Sequence, residues 1–157
     1  MQSSPLSHIK KELQHLNHAA LVALCYRLIQ YKRENKDLVH YLLFEQQDEK
    51  GFRKKLCTAI DDLFAEVNQN SIYFAKKTIR KIIRFMHRYL KFSNDAVTGI
   101  EVILHFCRNM QALSLRWHES KVMNNLYQQQ IKKATQMLKS LHEDLQYDYS
   151  ELIAELQ

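Results

Sequence analysis

The chain has very few of the residues that make turns. Glycine occurs twice, at Gly51 and Gly99, and proline once, at Pro5, in 157 residues, where ordinary usage would supply about ten glycines. That scarcity excludes folds built from many tight turns and leaves room only for short connections between long elements. It also excludes glycine-rich phosphate loops and nucleophile elbows, which need glycine to bring backbone close to a ligand or to hold a strained turn. Cys25, Cys57 and Cys107 are odd in number, widely spaced and placed on apolar helical stripes. Such a set predicts buried thiols in a reducing compartment and no disulfide framework. The longest uninterrupted apolar run, Ala19 to Tyr26, is far short of the roughly 20 residues that span a bilayer, and the start MQSSPLSHIKK has no apolar signal segment. A cytoplasmic protein with no membrane insertion is therefore expected.

Negative charge is missing from one stretch. Ser71 to Ser93, reading SIYFAKKTIRKIIRFMHRYLKFS, holds Lys76, Lys77, Arg80, Lys81, Arg84, Arg88 and Lys91 and no Asp or Glu. It carries +7 against +6 for the whole chain, so everything outside it sums to −1. At 100° per residue these cations, with His87, occupy one arc of about 140°, while Ile72, Ala75, Ile79, Ile82, Ile83, Phe85, Met86, Tyr89, Leu90 and Phe92 fill the opposite side. The stretch is predicted to be an amphipathic helix with a cationic outer face. Its counterpart lies at the end of the chain, where Leu141 to Gln157 carries Glu143, Asp144, Asp148, Glu151 and Glu155 with no Lys or Arg. This acidic segment is a candidate to pack beside the basic helix, in the same molecule or across a dimer, and mask much of its field.

With 46% apolar residues and a 3.6-residue rhythm throughout, the expected fold is all-α. It is expected to form a single domain over residues 1–157, an antiparallel multi-helix bundle of six to seven helices. Starts near His18, Phe52 and Ala96 also fit stacked HEAT-like pairs. Helices are predicted at about Leu6–Leu16, His18–Lys32 (capped by Asn17 and central to the core), Lys36–Gln46, Phe52–Val67, Ser71–Ser93 and Ala96–Leu113. The polar segment Arg33 to Asp37 is expected to break the chain between the second and third. From Glu119 to Gln157 the apolar seam Ile131, Ala134, Leu138, Leu141, Leu145, Tyr149, Leu152 and Leu156 reads as one long helix or as two with a break near Tyr147 to Ser150, where Asp148 and Glu151 fit a capping box.

The phrases at Lys32 to Lys36, at Tyr41 to Glu45 (YLLFE) and at Tyr73 to Arg84 (YFAKKTIRKIIR) look like those of uncharacterised all-helical bacterial proteins of similar length. The resemblance covers about the first hundred residues. It implies a helical fold and no activity.

Catalytic and metal chemistry find little to build on. Glu12 with His15, His15 with His18 and Glu101 with His105 have helical spacing but no third ligand nearby in sequence, so neither metal nor cofactor is expected. Asp61 and Asp62 are adjacent and diverge by about 100° on a helix, too far to share a proton. Polyanion binding has a mechanism, since seven cations on one helix face would release counterions from a phosphate backbone. Tyr73, within the basic arc, is a candidate to stack on a base, as is Trp117 on condition that it is exposed. The expected function is a non-enzymatic interaction module binding an acidic macromolecule such as nucleic acid. The alternative is a scaffold that self-assembles, for instance as a homodimer, through the seam from Ile131 to Leu156.

Overall fold

The computed structural model describes residues 3–157, and among them every regular element is helical. Eight α-helices run in chain order: α1 Leu6–His15, α2 His18–Tyr31, α3 Arg33–His40, α4 Glu49–Ala65, α5 Ile72–Leu90, α6 Ala96–Gln111, α7 Lys121–Leu138 and α8 Glu143–Ala154. A π-helical turn follows α3 at Tyr41–Glu45, and a 3-10 turn at Trp117–Glu119 precedes α7. No helix among the described residues is long and apolar enough to cross a membrane. The chain divides into two compact units, Met1–Phe44 and Glu45–Gln157.

In the first unit Asn17 caps α2 as expected, its side chain accepting from the Ala20 amide at 2.8 Å. The polar segment after α2 does not break the chain for five residues. Lys32 alone is extended, and α3 begins at Arg33. The Asn35 amide then reaches back to the Leu28 carbonyl at 2.8 Å and holds α3 against α2. The expectation that α2 is central to the core is wrong, because no α2 residue is buried and Val22, Tyr26 and Tyr31 are 54%, 61% and 77% exposed. A helix that is apolar over most of its circumference needs neighbours on several sides, whereas α2 pairs chiefly with the short α3. Cys25 is exposed for the same reason, contrary to the expectation of a buried thiol.

The second unit holds the core. α4 starts at Glu49, earlier than expected, because Asp48 accepts from the Gly51 amide at 2.9 Å and so caps a first turn that the apolar stripe does not reach. Gly51 permits that cap, since a Cβ there would sit 2.1 Å from Asp48 Oδ2. Phe52, Leu56, Ile60, Phe64 and Val67 are buried at the expected spacing. α6 is the centre, with nine buried residues, and Phe106 lies 5.4 Å from Phe64 in a tilted ring pair. Gly99 lets α7 approach closely, for a Cβ at that position would meet Met137 Cε at 2.8 Å.

Side-chain pairings set the helix directions. Arg53 with Glu101 and Asp61 with Asn109 advance together, so α4 and α6 run parallel. Tyr149 with Glu101, and the chain from Gln111 through Tyr127 to the Leu156 carbonyl, advance together along α8 and α6. α4, α6 and α8 are thus parallel neighbours, and α5 and α7 are the return helices that join them.

The last third is two helices, which takes the count past the expected six to seven. The break falls at Lys139 to His142, several residues before the expected position. There the Ser140 hydroxyl bonds the Met137 carbonyl, and α8 restarts with Glu143 and Asp144 in its first turn. Acidic groups at a helix start are favoured by the exposed amides and the dipole. α8 folds back on α7 and α6.

Candidate functional site

α5 forms as the periodicity requires. Ala75, Ile79, Ile82, Met86 and Leu90 are buried, and α5 packs on α4 and α6 through that face. On the other side Lys77, Arg80, Lys81, Arg84 and Lys91 are exposed, while Lys76 and Arg88 are half-buried. Among the described residues, Lys81 is the one cation of this helix within ion-pair distance of a carboxylate, Glu66 at 3.1 Å, and that pair is itself solvent-exposed. Lys76 Nζ stands 5.7 Å from the Tyr73 ring centroid. The Arg88 guanidinium lies 5.0 Å from the Tyr89 ring centroid, and its Nε is buried with no hydrogen-bond partner.

Within one chain the acidic segment forms no ion pair with this face among the described residues. α8 packs on α7 and α6. The basic surface extends instead onto α7, because His87 Nε2 lies 3.1 Å from Lys133 Nζ and 2.6 Å from Gln130 Oε1. Burial lowers the His87 pKa from its ordinary value, and the cations Lys133 and Lys91 push it the same way against the Gln130 hydrogen bond. His87 therefore contributes no charge at neutral pH. Lys133 is 46 positions from His87, and nothing in the sequence pattern joins the two.

Of the candidate stacking residues, Tyr73 is 69% exposed, whereas Trp117 is 8% exposed and packs on Tyr127 at 4.9 Å. Trp117 cannot stack on a base. It ends in the core because the 3-10 turn carries it inward ahead of α7. The seam residues are likewise split. Ile131, Ala134 and Leu156 are buried, Leu138, Leu141 and Leu152 are half-buried, and Leu145 is exposed. With the helix broken between Leu138 and Glu143, these residues form no continuous stripe on one helix.

A cleft that the sequence reading missed lies between the three parallel helices. α4 lines it with Lys50, Arg53, Lys54 and Cys57, α6 with Glu101, Leu104, His105 and Arg108, and α8 with Leu145, Asp148, Tyr149 and Leu152, around about 550 Å³. Each helix contributes positions i, i+3, i+4 and i+7, the single face that parallel packing turns inward. A polar network ties the walls together, in which Arg53 Nε pairs with Glu101 Oε2 at 2.9 Å and the Tyr149 hydroxyl donates to Glu101 Oε1 at 2.5 Å. His105 Nε2 lies 2.5 Å from Asp61 Oδ1, to which Asn109 also donates at 2.8 Å. Glu101 and His105 are thus each committed to separate partners, and Glu12 lies 3.6 Å from His8. Burial, aided by the Asp61 charge, pushes the Cys57 thiol up to about 11, so it is no thiolate nucleophile at neutral pH. Burial pushes Cys107 up to about 12.

No protein-family model, curated protein or solved structure matches the chain.

Proposed function

We propose that this protein is a non-enzymatic helical interaction module whose cationic α5 face binds an acidic macromolecule, with nucleic acid as the partner. The observation that carries this reading is an uncovered and largely unneutralised face, on which one cation in seven has a carboxylate partner among the described residues and α8 packs elsewhere. A nucleic acid carries a condensed layer of counterions on its phosphates, and Lys and Arg side chains that are not already held by protein anions can replace those counterions, whose release into bulk solution drives binding. The reading implies little sequence preference, since no base-reading element accompanies the charges. Tyr73, exposed beside Lys76, adds a ring for an unpaired base to stack on. The parallel run of α4, α6 and α8, with α5 and α7 between them, favours a HEAT-like stacking of helix pairs over a simple bundle, and such stacks present one helix layer as a surface. Three free thiols suit a reducing, cytoplasmic setting.

The test is fluorescence anisotropy with a labelled DNA duplex and a labelled single-stranded RNA over a salt series. We expect log K to fall linearly with log salt, with a slope of about −4.5 to −6.3 on the duplex and about −3.5 to −4.9 on the single strand if five to seven phosphates are contacted. Absence of binding to either probe at about 20 mM salt, where the electrostatic term is strongest, would overturn the reading.

A further inference from the structure

The walls of the cleft between α4, α6 and α8 differ in chemistry. The α4 wall is cationic, whereas the α8 wall presents Leu145 and Leu152 beside the Tyr149 ring. Four Lys and Arg side chains line the cleft against two carboxylates, Glu101 and Asp148, which leaves two positive charges in excess. Their availability also differs. Arg53 is held by Glu101 at 2.9 Å, and Glu101 is engaged again by Tyr149, whereas Lys50 and Lys54 are exposed, one helical turn apart, with no carboxylate at ion-pair distance among the described residues. A ligand that satisfies this arrangement carries a compact doubly negative head and an apolar body. A phosphate monoester has such a head, with a second pKa of about 6. The volume lies within the roughly 300–1,000 Å³ of small-molecule sites.

We propose that this cleft binds a small amphiphilic organic phosphate, its dianionic head on Lys50 and Lys54 and its apolar body along Leu145 and Leu152. The Arg53, Glu101 and Tyr149 network forms the polar end of the site and fixes the spacing of α4 from α8, so the walls are set before the ligand arrives. A nucleic-acid backbone fits this cleft poorly, because Asp148 stands on the wall opposite the cations and the leucines offer nothing to sugar or phosphate. The site does not depend on the α5 reading, and either can fail alone.

The experiment uses the full chain with methyl-labelled leucines and three probes: octyl phosphate below its micelle concentration, inorganic phosphate, and octanol. We expect octyl phosphate to shift the Leu145 and Leu152 methyl signals saturably and to bind at least tenfold more tightly than either fragment, because both walls contribute. Inorganic phosphate binding as well as octyl phosphate, octanol binding as well, or no saturable shift would each overturn the proposal. Lys50→Glu with Lys54→Glu, both at exposed positions that spare the core, should weaken octyl phosphate at least tenfold. Leu145→Ser, also at an exposed position, should weaken octyl phosphate severalfold and leave inorganic phosphate unchanged. Unaltered octyl phosphate affinity in both variants would overturn the proposal even if the wild type binds.

Discussion

On α5 five of the seven cations stand in solvent along one helix face, and on α4 Lys50, Arg53 and Lys54 stand across a cleft from Leu145 and Leu152. The side chains are of one kind, and the difference lies in what faces them. Where only water faces a cation, its attraction for an anion is long-ranged, screened by salt and indifferent to the anion's shape. Facing an apolar wall across a cleft, a cation belongs to a site that can tell a phosphate with a hydrocarbon body from one without. Charge alone therefore does not name the ligand class. The opposing surface does, and it is supplied by helices far away in sequence.

The largest effect that separates the two surfaces is expected from Arg80→Glu combined with Arg84→Glu. Both residues are exposed and unpaired among the described residues, so the fold should persist. Converting two contacts into two repulsions should lower DNA and RNA affinity about 100-fold at low salt and flatten the salt slope by about 2. Octyl phosphate binding in the cleft should not change. Loss of both activities together would show that the surfaces are one site and would end the comparison.

Much of this was legible from periodicity. The stripe on α4, the buried face of α5 with its cations opposite, and the cap at Asn17 all stand where spacing and cap chemistry put them. What failed was any inference that needed to know a helix's neighbours. α2 is apolar enough for a core but has too few partners to bury it, whereas α6, of similar apolarity, has partners on several sides and buries nine residues. Whether Trp117 is exposed was open in the sequence because a loop residue has no periodicity to place it. The break at Lys139 to His142 contains neither glycine nor proline, and its signal, two acids opening α8 at Glu143 and Asp144, is weaker than the capping box that pointed to Asp148. The cleft was invisible because its three contributing faces are each an ordinary amphipathic stripe, and only the parallel packing brings them together.

Glu101→Gln acts on the cleft alone. It removes the charge of the Arg53 pair and leaves one acceptor oxygen where the carboxylate offers two, so Arg53 and Tyr149 can no longer each have an oxygen of their own, which should cost about 1–2 kcal/mol in denaturant unfolding. It should also appear in a tyrosinate titration. Burial, then the hydrogen bond and charge of Glu101, raise the Tyr149 pKa from 10.0 to about 12, and burial raises Tyr127 to about 12 as well. A folded-state pKa above the unfolded value stabilises the protein fully below pH 10, and that contribution is lost as pH rises from 10 to about 12. Wild type should therefore show late-ionising tyrosines and lose stability over that window. In Glu101→Gln the Tyr149 phenol should ionise earlier, though still late because burial persists, while Tyr127 is unaffected. Simultaneous ionisation of all tyrosines at about their ordinary pKa in the folded wild type would contradict the network.

Asp48→Ala tests whether the cationic wall depends on its helix start. Loss of the cap on the Gly51 amide should cost about 1 kcal/mol and fray the first turn of α4. That turn carries Lys50, so octyl phosphate should weaken twofold to fivefold while nucleic-acid binding stays constant. Amide hydrogen exchange at Gly51 and Phe52 should accelerate in parallel. Unchanged exchange would mean that the cap does not hold the wall.

The smallest expected effect concerns the one paired cation of α5. Lys81 and Glu66 lie 3.1 Å apart with side chains 56% and 61% exposed, and a pair so exposed contributes about 0.2–1 kcal/mol. Glu66→Gln should leave the thermal midpoint almost unmoved and release Lys81 to a phosphate. Nucleic-acid affinity at low salt should then rise twofold to fourfold, and the salt slope should steepen by at most about 0.9, one contact's worth. The direction is the informative part, because a face already free of its own anions has little left to gain. A gain of tenfold or more would mean that Glu66 shields several cations at once, and that α5 is regulated by its own chain after all.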